Sequence, residues 1–128
     1  MKEICIEFVE WVGTNTFDPR YGGMAHYINS KGLHMWSLDH SREIFTNNLY
    51  QKFCDIKGIE FTISQKILYL DGKFVPTKFI EYIGKKGYCY YRYSYKGVQQ
   101  KPYWTKSGKD MGKEKFNTNE LWDEFNNV

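Results

Sequence analysis

Proline and cysteine are scarce, with only 3 of each in 128 residues. The cysteines, Cys5, Cys54 and Cys89, are odd in number and share no short spacing. That excludes a disulfide framework and a Cys-x-x-Cys zinc or redox motif, and the expectation is reduced thiols in a cytosolic protein. No apolar run approaches the roughly 18 residues that a membrane span needs. The start, Met1-Lys2-Glu3-Ile4-Cys5-Ile6-Glu7, carries acidic groups and no continuous apolar stretch, so no signal peptide is expected. Charge of one sign is scarce as well. Lys+Arg 18 against Asp+Glu 15 leaves +3, too little by itself to mark a nucleic-acid binder. A Walker-type loop and a dinucleotide fingerprint are both missing.

Aromatic residues are plentiful at 19%, beside 41% hydrophobic and 26% charged residues. Such a chain can bury a core and stay dissolved, and it is not disordered. The most informative feature is a tandem repeat. Ile6-Glu7-Phe8-Val9-Glu10-Trp11-Val12-Gly13 returns as Thr77-Lys78-Phe79-Ile80-Glu81-Tyr82-Ile83-Gly84. Met35-Trp36-Ser37 returns as Tyr103-Trp104-Thr105. Thr46-Asn47-Asn48-Leu49-Tyr50-Gln51-Lys52-Phe53 returns as Thr118-Asn119-Glu120-Leu121-Trp122-Asp123-Glu124-Phe125. Three blocks in the same order and near-constant register point to duplication.

Each copy is expected to open with a strand, because Phe8, Glu10 and Val12 alternate with Val9 and Trp11, and a glycine ends it. Further strands carry the tryptophan, and a short helix closes the unit. Thr46 and Asn117-Thr118 are N-cap candidates, and Asn117 with Glu120 has capping-box spacing. Leu49 with Phe53, and Leu121 with Phe125, stand at i, i+4 on one helical face. Between the copies, Ile59–Ile63 alternates as a strand, and Ile67–Val75 reads as a hairpin with Asp71-Gly72 at its turn. The expected fold is α+β. Two similar β-β-β-α units, residues 1–55 and 78–128, are joined by a strand and β-hairpin over 56–77. Units this small are marginal alone, so they are expected to pack as one pseudo-symmetric globule.

The copies differ in ways that suggest function. The first has a longer, glycine-rich insert over 18–34, read either as a binding loop or as a plain hairpin connection. The second carries Tyr88-Cys89-Tyr90-Tyr91-Arg92-Tyr93-Ser94-Tyr95-Lys96. As a strand, it puts Cys89, Tyr91, Tyr93 and Tyr95 on a packing face and Tyr88, Tyr90, Arg92, Ser94 and Lys96 on an open one. Charge is polarised: Lys78 to Lys115 holds ten basic residues against three acidic ones, whereas 7–55 holds four against six. The candidate binding residues are Tyr88, Tyr90, Arg92, Lys96, Lys85, Lys86 and Lys101. A basic face interleaved with tyrosines suits a phosphate-bearing partner. It suits an acidic protein surface equally. It is also what a solvated β-face with lysines guarding an edge strand looks like.

Signals for catalysis are weak. His26, His34 and His40 fit no helical zinc signature, so no metal and no cofactor is expected. Asp39-His40-Ser41 is a string of sequence neighbours, and such neighbours seldom converge on one reacting centre. Glu10 and Glu81 could form an acid/base pair but read as one duplicated structural glutamate. Trp36 and Trp104 read as equivalent core residues. Gly84-Lys85-Lys86-Gly87 reads as a turn between two strands, and Lys106–Asp110 as another turn.

The set of anchors, Phe8-x-Glu10-Trp11-Val12 with Trp36 and a closing Thr46–Phe53 helix, resembles a module of small proteins from bacteriophages and mobile elements. There the unit usually occurs once; here it recurs at Phe79–Phe125. The resemblance implies a small accessory protein, in the class that contains inhibitors of host defences such as anti-CRISPR proteins. It supplies no catalytic or ligand residue. The sequence-level expectation is therefore a non-catalytic binding protein in the host cytoplasm. It would occupy a host protein through the tyrosine-rich basic face, that host protein being a candidate nucleic-acid-handling defence enzyme. The alternative is a nucleic-acid or nucleotide binder using the same face.

Overall fold

The computed structural model describes residues 1–18, 23–38, 43–92, 94–109 and 111–127. The described chain is α+β, with helices laid over small antiparallel sheets. Helix α1 (Lys2–Asn15) is followed by the short pair β1 (Phe17–Asp18) and β2 (Gly23–Met24). Then come β3 (His26–Ile28), β4 (His34–Ser37) and β5 (Glu43–Phe45), an antiparallel sheet in the order β3-β4-β5. Three helices follow: α2 (Thr46–Lys57), α3 (Ile63–Leu70) and α4 (Val75–Lys86). In the second half β6 (Tyr88–Tyr91) pairs with β9 (Tyr103–Lys106), and the hairpin β7 (Ser94–Tyr95) and β8 (Val98–Gln99) lies between them. Helix α5 (Thr118–Asn126) closes the chain's order of elements.

The opening segments of the two copies are helices, which corrects the expected strands. An eight-residue window such as 6–13 satisfies the strand period as well as the helix period. The longer window does not. Cys5, Phe8, Val9 and Val12 are buried at i, i+3, i+4 and i+7, and so are Pro76, Phe79, Ile80 and Ile83. The connecting strand and hairpin over 56–77 are corrected too. The Asp71-Gly72 turn exists, with Gly72 at φ 70°, but it joins α3 to α4. Pro76 stands in the first turn of α4, where its missing N–H costs nothing. The Thr62/Gln65 capping box starts α3, with Gln65 N–H donating to Thr62 Oγ1 at 3.1 Å. Gly84-Lys85-Lys86-Gly87 is the end of α4 rather than a turn between strands, and Gly87 takes the left-handed C-cap at φ 80°. Asn117 caps α5 through the expected box with Glu120.

The repeated glycines do not end strands. They let helices touch sheets. A Cβ on Gly13 would lie 2.3 Å from Cβ of Tyr90, and one on Gly84 would lie 2.8 Å from Cε1 of His26. Thus α1 lies against β6 of the second half, while α4 lies against β3 of the first. The core between them is largely aromatic: Phe8, Trp36, Tyr50, Phe53, Phe79 and Trp104 are fully buried, with Leu49, Ile80 and Leu121. Phe8 meets Tyr50 edge-on at 4.9 Å, and Phe79 meets Trp122 edge-on at 5.2 Å.

Candidate functional site

One hydrogen-bonded chain occurs twice. Trp36 Nε1 donates to Thr46 Oγ1 at 2.9 Å, and Thr46 Oγ1 donates to Glu81 Oε2 at 2.7 Å. Trp104 Nε1 donates to Thr118 Oγ1 at 2.9 Å, and Thr118 Oγ1 donates to Glu10. In both chains the tryptophan and threonine belong to one half and the glutamate to the other. The threonines sit at the starts of α2 and α5, held by Phe45 and Asn117 as N-caps. Thr46 is therefore the first helical residue and a relay, not the cap. Each glutamate holds a buried hydroxyl, whereas the sequence reading has the duplicated structural glutamate solvated or paired to a lysine.

Two grooves flank these relays. The first, about 390 Å³, is lined by Leu33, His34, Phe45, Tyr69, Leu70, Lys78 and Glu81 among others. His34 reaches it from β4. Nδ1 of His34 and Nε2 of His26 lie 2.8 Å apart, so one donates to the other. The His26 ring lies 4.2 Å from Trp36 and above Gly84. Burial, then the neighbouring His34, push the pKa of His26 down to about 4. His34 is lowered chiefly by burial, with Glu81 opposing and Lys85 adding to the effect. A histidine and a glutamate thus share a groove, but their groups are already committed, His34 to His26 and Glu81 to Thr46. Among the described residues no three His, Cys, Asp or Glu side chains are grouped to hold a metal ion. Asp39-His40-Ser41 lies outside the described residues, as does the stretch 19–22 of the insert.

The second groove, about 330 Å³ and shallower, is lined by Glu7, Glu10, Trp11, Lys57, Tyr90, Arg92 and Pro102 among others. The Tyr90 ring lies 4.7 Å from Trp104, tilted by 37°. Its hydroxyl is pushed up to about 12 by burial, then by the charge of Glu10 and a hydrogen bond to it, with Arg92 opposing. Lys57 pairs with Glu7 at 3.4 Å across one wall. Arg92 is exposed at the rim. Comparison of the chain with family models, curated proteins and solved structures gives no match.

The sequence-predicted binding residues fall into separate groups. Tyr90 and Arg92 meet on the second groove. Tyr88 does not stand on an open face: it is 5% exposed, and its hydroxyl donates to Glu124 at 3.1 Å. Burial and that bond raise it to about 12. The face expected to be open is the one that α1, α4 and α5 pack on, because the opening segments are helices and cover the sheet. Lys86 and Lys106 gather beside Tyr88. Lys106 Nζ stands 4.6 Å over the Tyr88 ring and donates to the Lys86 carbonyl at 2.7 Å. Lys115 stands 4.9 Å over Tyr103 in the same manner. Lys85 is exposed in the last turn of α4, Lys101 is exposed ahead of β9, and Lys96 is exposed in the β7–β8 turn at φ 51°. On the other face Cys89 is buried and Tyr91 meets Tyr103 at 5.5 Å, as a packing face should. Tyr93 and the side chain of Tyr95 lie outside the described residues. Sequence reasoning missed Glu124 and Lys106. The usable signal for the relays was the recurrence of Trp, Thr and Glu together in both copies.

Proposed function

We propose that the chain is a non-catalytic binding protein built from two copies of one unit, and that its cationic second half meets an anionic partner. The twin Trp–Thr–Glu relays support the pseudo-symmetric layout, since each copy lends its glutamate to the other. The grooves beside them are then equivalent places that have diverged. Gly84 underlies His26 in one, and Gly13 underlies Tyr90 in the other.

The observation that carries the functional reading is Arg92, exposed at the rim of the Tyr90 groove within a segment holding ten basic residues against three acidic ones. A field of that sign steers an anionic surface and anchors it with arginine. The preferred partner is an acidic protein surface, because the lysines over Tyr88 and Tyr103 occupy ring faces on which bases would stack. In the phage-type reading that partner is a host defence enzyme, met in the host cytoplasm. Direct binding of nucleic acid or a nucleotide through phosphates is the second reading, favoured by the same charges.

Pull-down from bacterial lysate with wild type and Arg92→Glu tests the surface. Loss of one partner from the variant supports it, and equal recovery by both refutes it. A salt titration with short RNA and DNA separates the two readings. No oligonucleotide binding at low salt removes the second.

A further inference from the structure

The two halves meet at two seams of like construction, and only one of them can take up a proton. In the second half the Tyr90 ring lies against Gly13 of α1, beside Trp104, its partner across the β6–β9 pair. In the first half the His26 ring lies against Gly84 of α4, beside Trp36, its partner across the β3–β4 pair. A Cβ on Gly84 would lie 2.8 Å from Cε1 of His26 and 3.0 Å from each ring nitrogen. The imidazole therefore lies face-on against the helix backbone, with no space for a layer of water between them. Nε2 of His26 and Nδ1 of His34, 2.8 Å apart, share one hydrogen. That contact needs one N–H and one lone pair. A first added proton can go to Nε2 of His34 and leave the bond intact. A second, on His26, sets two N–H groups of two charged rings against each other, at a face where water cannot reach them.

We propose that this seam is a proton-operated contact: charging His26 drives the β3–β4 hairpin off α4, opens the wall of the first groove at Leu33 and His34, and leaves the Tyr90–Gly13 seam closed. The surrounding groups do not hold the second proton in place. From α4, Glu81 and Lys85 act on His34 in opposite directions beyond the effect of burial, and Lys78 lines the same groove. Helix α3 brings Tyr69, whose hydroxyl is raised by burial and then by Glu81. At the start of α2, Thr46 presents an uncharged hydroxyl to Trp36. Glu43 of β5 is engaged on the other face of the sheet, where the Tyr27 hydroxyl donates to it at 2.7 Å. Tyr90, in the like position of the second seam, has a hydroxyl raised to about 12 by burial and Glu10, so it stays neutral in acid.

Fluorine NMR of the full chain labelled with 5-fluorotryptophan reads both seams at once, since Trp36 travels with β4 and Trp104 with β9. Freed from α4, His26 returns from about 4 to an ordinary 6.5, which favours the open form about 30-fold more at pH 5 than at pH 7.5. Between about pH 7.5 and 4.5 the Trp36 resonance is expected to move reversibly and to gain a solvent isotope shift, while Trp104 keeps its position. His26→Gln puts a neutral amide at the seam and is expected to hold Trp36 in place over the same range. His26→Tyr copies the second seam and is expected to do the same, which keeps the test open should one of the two variants fail to fold. A Trp36 resonance that does not respond overturns the proposal. So do Trp36 and Trp104 moving together, which is global acid unfolding, and an undiminished response of Trp36 in either folded variant.

Discussion

Replacing Thr46 by valine keeps the shape of the side chain and removes one hydroxyl. That hydroxyl is fully buried, accepts from Trp36 Nε1 and donates to Glu81. In the variant the buried indole N–H has no partner, which costs about 1–3 kcal/mol. Glu81 is half-buried, so water replaces most of what the carboxylate loses. The expected destabilisation is about 2–3 kcal/mol, within the range for broken buried networks. With about 2 cal/mol/K of unfolding entropy per residue, the melting temperature falls by roughly 7–11 °C. Urea unfolding followed by tryptophan fluorescence measures the change. Thr118→Val breaks the other relay and is expected to cost about as much. A loss under about 0.5 kcal/mol for both variants, the level of an ordinary surface change, would refute the view that the relays tie the halves together.

Other outcomes follow from the same geometry. Burial, then the neighbouring His34, hold the folded-state pKa of His26 at about 4, against 6.5 for an ordinary histidine. Its unfolded state therefore binds the proton first as the pH falls. Its stabilising contribution is intact above about 6.5 and is lost progressively down to about 4, close to 2 kcal/mol by pH 5; denaturant melts at pH 7.5 and 5 check this, and His26→Gln should flatten the difference. Gly13→Ala forces a methyl group against the Tyr90 Cβ and is expected to cost about 1–3 kcal/mol by urea unfolding, more than Gly84→Ala, whose methyl meets the face of the His26 ring at a longer distance. Cys5, Cys54 and Cys89 are buried, and burial pushes the thiols of Cys5 and Cys89 up to about 11. Ellman's reagent should therefore leave all three unreacted in the native protein and modify all three in denaturant.

The aromatic anchors were legible in the sequence to a useful degree. Trp36 and Trp104, paired there as equivalent core residues, are both fully buried and both donate to the threonine that opens the next helix. The Asn117/Glu120 box and the Asp71-Gly72 turn were legible because they rest on local chemistry. The opening helices were not. In 6–13 and 77–84, β-branched and aromatic residues obey both periods, and only Cys5 and Pro76, outside the aligned blocks, break the tie. Misreading those helices as strands also misplaced the open face. With α1 and α4 lying on the sheets, Tyr88 and Tyr90 point inward and Arg92 is the first side chain of the strip to emerge. The His26–His34 pair and the exchange of Glu10 and Glu81 between halves depend on tertiary placement alone.

The most direct test of the cationic half as a contact surface is an amide chemical-shift map of the full chain titrated with a polyaspartate peptide at low salt. Shifts are expected to cluster at Lys85–Lys86, Tyr90–Arg92 and Lys101–Lys106, to fade as salt is added, and to be lost in Arg92→Glu. Shifts confined to α2 and α3, or none at all, would contradict the assignment.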